Sequence, residues 1–312
     1  MAAWRTTRNV PGSIPGGEGD KLPLMVKFDE FVDGQSYQGY TRLAIRTYGI
    51  ASDEALLHEP VTNAVVRAIG LPATRTAYAG LQMNDAAEEL YVLSEVIDES
   101  YLARHFANAD GVLYKAEVGS NLNYQGEDPS AYDRSFTQQT RVNDADLAPL
   151  IAFMRFIDQA DDTPFESDLP KYLDVDSFAT YLAVSALLVN TDSMIGMNNN
   201  YYLYYDEVTG QFTLLMWDAN ESLSKLGGSA TFDISLTNIQ SGVGGRGGMG
   251  GGQNALLTRF MASDRFRALY EEKLRLVYQE AFVGGAMTET VERYSTLIHS
   301  VNDERDLVDI EA

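Results

Sequence analysis

Two carboxylates, Asp192 and Asp218, flank three consecutive asparagines and a tyrosine-rich run in the stretch NTDSMIGMNNNYYLYYDEVTGQFTLLMWDANESL, residues 190–223. Phosphoryl transfer from a nucleotide needs one carboxylate to orient the attacking hydroxyl. It also needs an amide and a second carboxylate to hold the divalent ion that bridges the phosphates. This stretch supplies those parts in that chain order. Its scaffold is legible too: an apolar helical pattern ends near Asp192, a strand follows the asparagines, a turn centres on Thr209-Gly210, and a second strand leads through Trp217 into Asp218.

The elements that would carry such a site divide the chain in two. Over residues 1–98 the patterns are mostly strands with one helix: LPLMVKFDEF, a turn at Asp33-Gly34, then the alternating TRLAIRTY. SDEALLHEPVTNAVVRAIG has a Ser/Asp start, an acidic first turn and apolar residues at Leu56, Val61, Val65 and Ile69, and it stops at Gly70 before Pro72. TRTAYAGLQM and ELYVLSEVI are two more strands. The order strand, strand, helix, strand, strand is that of the small lobe of a protein kinase. Residues 99–312 read as mainly helical, with YLARHFAN, NDADLAPLIAFMRFIDQA, and the apolar VDSFATYLAVSALLVN, whose burial would form the spine of a large lobe. The later helix NALLTRFMASDRFRALYEEKLRLVYQEAF is expected to break near Ser263-Asp264. Between the two, SGVGGRGGMGGGQN (241–254) is a flexible loop by composition and lacks a G-K-[ST] ending.

Composition narrows the function classes. In 312 residues, 45 acidic side chains outweigh 23 basic ones, for a formal charge of −22, and no Lys/Arg cluster offsets them, so nucleic-acid binding is not expected. No apolar run is long enough to span a bilayer. With no cysteine, disulfides, thiolate nucleophiles and Cys-based metal sites are excluded. His58, His105 and His299 are isolated and read as surface or packing residues, and no G-x-S-x-G elbow accompanies them. The first residues lack a secretory leader pattern, and Trp4 and Arg5 read like the middle of a domain, so the chain is expected to start inside a longer one.

The chain resembles the spore coat protein H (CotH) kinase family. The resemblance is carried, in order, by KFDEF, DEALLHEPVTNAVVRAIGLPA, LYVLSEVID with YLARHF, GVLYKAE, the helix ending in NTDS, NNNYYLYYDEVTGQFTLLMWD and NALLTRFMASDRFRALYEEKL. It implies an α+β, two-lobed, atypical protein-kinase-like fold, with a small strand-rich N-lobe over 1–98 and a larger helical C-lobe over 99–312. Asp192 then matches the catalytic-loop aspartate. Asn200 matches the asparagine that opens the hairpin strand, with Asn198 and Asn199 as neighbours that could serve instead, although a plain turn also accounts for several asparagines. Asp218 matches the metal-binding aspartate of a W-D-x-D pattern, whose second acid is Asn220 here. An amide oxygen can still face Mg²⁺, but it brings no charge.

For the phosphates, the resemblance implies a catalytic ion pair between Glu59 on the helix and a cation. Lys27 is the best match, with Arg42 and Arg46 as rivals; the plain alternative is that Glu59 and Lys27 are exposed charges. Glu95 and Val96 would form the hinge that meets adenine. Arg5 and Asn9 in RTTRNVPGS, with Ser13, keep part of an upstream nucleotide segment whose Lys-Gly pair is missing. Lys115 in GVLYKAE matches a recurring lysine and reads equally as a phosphate contact or a surface residue. Tyr201, Tyr202, Tyr204 and Tyr205 fit hairpin alternation, one face in the core and one at the rim, better than a stacking platform.

The expected activity is transfer of the γ-phosphoryl of ATP to Ser/Thr hydroxyls of a secreted, coat or surface protein. The cofactors would be ATP with Mg²⁺ or Mn²⁺. One alternative is a catalytically degenerate member acting as a binding or adhesion module. Another is a Ca²⁺-dependent carbohydrate-binding protein, suggested by acidity and aromatics alone.

Overall fold

Two antiparallel sheets and eight α-helices build the described part of the chain. A computed structural model describes residues 3–6, 23–47, 53, 56–85, 87–223 and 254–305, with 3–6 and 303–305 described by backbone alone. The first sheet contains β1 (Ala3–Thr6), β2 (Leu24–Lys27), β3 (Arg42–Arg46), β4 (Thr76–Gln82) and β5 (Glu88–Glu95), in the order β1-β2-β3-β5-β4. Alternation decides its two faces. On β3, Ile45 joins Leu24, Val26 and Tyr91 in one cluster, while Ala44 points the other way and packs with Val96 and Ile97. Arg42 and Arg46 share Ala44's face because side chains two apart lie on one side of a strand.

Helix α1 (His58–Ala68) crosses between β3 and β4. The sequence pattern begins several residues earlier, but the helix starts only where Asp53, 7% exposed, accepts hydrogen bonds from the backbone N–H groups of Leu57 (2.9 Å) and His58 (2.7 Å). Two of the helix's orphan donors are satisfied in this way. The helix stops at Gly70, whose φ of 85° terminates it as a residue without Cβ readily does.

Helix α2 (Glu99–His105), capped by Asp98, leads to a second sheet of β6 (Val112–Ala116), β7 (Phe136–Gln138), β8 (Tyr201–Asp206) and β9 (Gln211–Met216), ordered β7-β6-β8-β9. Four strands here exceed the expected hairpin; β7 is only three residues long and leaves almost no periodic signal. One face of this sheet, with Tyr114, Tyr201, Leu203, Phe212 and Leu214, joins the main core under the helices. The opposite face, with Leu113, Tyr202, Tyr204, Leu215 and Trp217, packs on Ala44, Val96, Ile97 and Tyr101. The tyrosines therefore have no rim face: Tyr201, Tyr202 and Tyr204 are all buried, because the first sheet and α2 cover what would otherwise be solvent-facing.

Helices α3 (Ala148–Gln159), α4 (Asp162–Tyr172) and α5 (Val175–Leu187) follow β7. Every residue of α5 from Phe178 to Ala186 is buried, as expected of a helix apolar all round. It packs on β9 and on α7 (Asp264–Tyr278). Helix α6 (Ala255–Ala262) is separated from α7 by Ser263, whose hydroxyl accepts from Phe266 N, so the break falls where expected. A π-helical turn, Gln279–Val283, connects to α8 (Ala286–Arg305). No helix among the described residues is long and apolar enough to cross a membrane. The glycine-rich stretch 241–253 and Asn9 and Ser13 lie outside the described residues, and Arg5 is placed by backbone only, in β1 opposite Met25.

Candidate functional site

The loop between α5 and β8 is locked by its own main chain. Met197 N donates to Thr191 O (3.0 Å), Gly196 N to Ser193 O (3.2 Å), and Leu223 N reaches back to Leu188 O (2.7 Å). A Cβ on Gly196 would lie 2.1 Å from Thr191 O, so only glycine allows the chain to fold back this tightly. Val189, Asn198, Asn200 and Asp218 all have φ near 50°, a left-handed conformation that costs a non-glycine residue ~1–3 kcal/mol unless its surroundings enforce it. Such residues concentrate at functional sites.

Three predicted residues meet here. Asn200 Nδ2 donates to Asp192 Oδ2 at 2.9 Å and lies 3.5 Å from the Asp218 carbonyl; Asn199 Nδ2 donates to Asp192 Oδ1 at 3.2 Å. Burial pushes the Asp192 carboxyl up to about 7; the two amides oppose the shift, while the charges of Asp218 and Glu221 add to it. Asp192 is thus a carboxylate that titrates near neutrality, within reach of a base's role.

Asp218 is held from above. Arg46 Nη1 donates to its Oδ2 at 2.6 Å, and Arg46 Nε lies 3.6 Å from Glu59 Oε2. Glu59, 2% exposed, also accepts from the Ser94 hydroxyl at 3.0 Å. The Arg46 guanidinium rests 4.6 Å above the centre of the Trp217 ring, and that ring meets Tyr202 edge-on at 5.8 Å. Burial works to lower the Arg46 pKa, but Asp218 and then Glu59 outweigh it and the net direction is up. Burial raises the Glu59 carboxyl against the opposing pull of Arg46.

Helix α1 is docked on the turn that follows Asp218. Thr62 Oγ1 and Ser222 Oγ are 2.5 Å apart, Ser222 Oγ donates to Ala219 O (2.7 Å), and His58 Nδ1 lies 3.2 Å from Asn220 O. Arg46, between Glu59 and Asp218, ties the helix to the same turn.

Several expectations need correcting. Lys27 does not pair with Glu59: it binds Glu30 (3.0 Å) and Asp29 (3.9 Å) in the turn after β2. It stands opposite Arg42, four strand positions or ~13 Å along β3 from Arg46, so Arg46 is the cation beside Glu59. Arg42 lies at the far end of the same face and adds its charge to the surroundings of Tyr202. Asn198 is not available to an ion, because it is 1% exposed and its Oδ1 accepts from Asn254 Nδ2 (2.9 Å), the N-cap of α6.

The hinge expected at Glu95 and Val96 rests on backbone groups: Glu95 N–H donates to Arg75 O (2.9 Å), and its carboxylate, which a hinge does not use, pairs with Arg104 and accepts from Arg75 N (3.0 Å). Val96 is buried against Ala44 and the second sheet. Lys115 sits opposite Tyr202 in register, on the face of the second sheet turned toward the first, and forms no ion pair among the described residues.

Arg46, Trp217 and Ser94 were the residues hardest to single out. Strand alternation in TRLAIRTY places Arg46 on Ala44's side, but only docking across the two sheets shows that this side meets Glu59 and Asp218.

A bound divalent ion is testable on the oxygens present. Asp218 Oδ1 is buried and accepts no hydrogen bond, which leaves an anionic oxygen in need of a partner. Oxygen donors of Asp and Asn suit a hard cation such as Mg²⁺ or Mn²⁺. Among the described residues no group of three or more His, Asp and Glu side chains could hold an ion, so a seat here depends on Asp218 supplemented by amide oxygens.

The profile of the family described as CotH kinase protein matches residues 16–306. Among curated proteins, inner spore coat protein H of Bacillus subtilis (strain 168) is 22% identical over 236 residues, covering 74% of this chain. The chain spans 60% of the length of that relative. Among solved structures, the proinflammatory kinase CtkA of Helicobacter pylori aligns over 87% of this chain and 94% of its own, with 11% identity and a TM-score of 0.34. HipA from a Shewanella oneidensis MR-1 toxin–antitoxin complex with operator DNA aligns over 86% and 61%, with 12% identity and a TM-score of 0.28.

Proposed function

Because the chain belongs to the CotH kinase family, we propose that it transfers the γ-phosphoryl group of ATP to a Ser or Thr hydroxyl of a coat or surface protein. The observation that carries this reading is the Asn200 bridge. One amide bonds the Asp192 carboxylate and lies beside Asp218, so an acid–base group and an ion-binding group share one small volume.

In this mechanism Asp192 accepts the proton of the acceptor hydroxyl, and Asn199 and Asn200 hold its carboxylate in line. A carboxyl that titrates near 7 is matched to that task at neutral pH. Asp218 and the Asn200 and Asn220 amides would hold Mg²⁺ or Mn²⁺, which neutralises phosphate charge when bound. Arg46, fixed by Glu59 and Trp217, grips phosphate oxygens, and Lys115 supplies a second positive charge from the sheet below. Glu59 acts through Arg46 and is a positioning residue.

The acceptor class and the coat location rest on the relative's being an inner spore coat protein. A binding module without catalysis is the second reading, favoured by the neutral Asn220 where the family pattern has an acid, and by the lack of a three-acid cluster among the described residues. The deciding experiment is transfer of labelled γ-phosphate to the protein itself or to a Ser-rich acceptor, with a thermal-shift titration of ATP plus Mg²⁺ against ATP plus chelator. Binding and transfer together support the enzyme; binding with no transfer to any acceptor supports the module.

A further inference from the structure

Arg46 makes two incompatible commitments. Its Nη1 occupies Asp218 Oδ2 at 2.6 Å, although that carboxylate is the one charged group placed to hold an ion in the proposed site. Its Nη2, buried, donates no hydrogen bond, while its Nε faces Glu59 Oε2 at 3.6 Å, although the same arginine is the one placed to hold phosphate. An unused donor on the guanidinium and an unused oxygen on the carboxylate beside it describe a pair open to two ligands of opposite charge. An anion on Nη2 would draw Arg46 off Asp218, and the freed carboxylate would then accept a cation.

From this we infer that Arg46 is the residue that couples nucleotide to metal, bolting Asp218 in the free protein so that neither ligand binds well alone. The inference rests on the phosphotransfer reading of the site. Its physical basis is competition for one carboxylate charge: a cation on the open Oδ1 shares Asp218 with the guanidinium held on Oδ2. To take both oxygens it must break a charge-assisted hydrogen bond and leave the guanidinium with Glu59 as its carboxylate neighbour among the described residues. A triphosphate arriving first removes that obstacle, and by linkage each ligand raises the affinity of the other by the same factor. The Trp217 ring gives Arg46 a surface to slide on, since a guanidinium keeps its attraction to an aromatic face through small lateral shifts. An unpaired Asp218 would hold the ion without nucleotide and spend the site on unproductive binding; the bolt prevents this.

The test uses the full chain stripped of metal. Mn²⁺ alone is titrated into wild type, Arg46→Lys and Arg46→Met by electron paramagnetic resonance of the free ion. Lysine keeps a charge beside Glu59 but has no second arm to span the gap to Asp218, so both variants are expected to bind Mn²⁺ about tenfold or more tightly than wild type, the factor of one charge-assisted hydrogen bond. Equal Mn²⁺ affinity in wild type and both folded variants overturns the inference.

Because Arg46→Met strands the buried Glu59 carboxylate beside a half-buried Asp218 and could fail to fold, a second measurement stands independently of it. In a Trp4→Phe background, Trp217 emission is followed while Mg²⁺ alone is added to saturation. A change in emission in step with occupancy is expected as the guanidinium shifts on the ring, and occupancy with no change overturns the proposal. ATP binding is measured in parallel. If ATP binds no variant under any metal condition, the phosphotransfer reading falls while the Mn²⁺ comparison still judges the bolt.

Discussion

Asp192→Asn separates a buried base from a structural carboxylate, and its effect can be worked from the environment of the side chain. Burial pushes this carboxyl up to about 7. At ~1.4 kcal/mol per pKa unit, the distance from an ordinary ~3.9 is a penalty of ~4 kcal/mol on the charged form. Between pH ~4 and ~7 the folded state keeps a proton that the unfolded chain releases, so stability is full below pH ~4 and is lost as the pH rises through ~7. Asparagine carries no proton to lose.

In chelator-treated protein the variant should match wild type in stability near pH 4 and exceed it by ~4 kcal/mol at pH 8. With ~2.1 cal/mol/K of unfolding entropy per residue over 312 residues, that gap is ~6 °C in melting temperature. Scanning calorimetry of both proteins from pH 4 to 8 measures it, since titrations of groups that do not interact with Asp192 cancel in the difference. Labelled-phosphate transfer should fall by ~10²–10⁴ while metal–ATP affinity stays near wild type, the pattern of a group needed only in the transition state. A stability gap independent of pH would refute the buried-base argument. Loss of ATP binding along with transfer would refute the division of labour between Asp192 and Asp218.

Asp218→Ala should leave the circular dichroism spectrum intact and abolish the thermal shift that Mg²⁺ adds to ATP; an unchanged metal-dependent shift would return Asp218 to a structural role. Gly196→Ala forces a methyl to within 2.1 Å of Thr191 O, so the loop must open. The expected result is a loss of ~1–3 kcal/mol in denaturant unfolding and at least ~10² in transfer rate, checked against the wild-type urea midpoint. Asp53→Ala removes two backbone bonds at the start of α1, and ~1–2 kcal/mol of stability should go with them. Its KM for ATP should rise as Glu59 loosens, and a variant with normal KM would show that α1 is held by its contact with residues 219–222 instead.

Local chemistry was legible from residue order. The alternation of TRLAIRTY, the all-round apolar α5, the interruption at Ser263 and the sequence Asp192, Asn200, Asp218 are set by side-chain periodicity and by capping groups within a few residues, which no distant contact needs to supply. The hairpin after the asparagines belongs to the same class. Tertiary structure decided how these pieces are paired. Lys27 was the best-matching partner for Glu59, with Arg42 and Arg46 as rivals, and only the docking of α1 against both β3 and the turn after Asp218 selected Arg46. Asn198 and Asn200, two positions apart in one run, took opposite fates, one buried against the cap of α6 and one joining the Asp192 carboxylate to the Asp218 main chain. Tyr202 and Tyr204 lost their expected rim because the first sheet and α2 cover them. Each of these outcomes joins residues far apart in the chain. A charge or an amide announces that it needs a partner, but which one it meets is fixed by the packing of apolar faces, whose energy dominates and whose geometry no single segment contains.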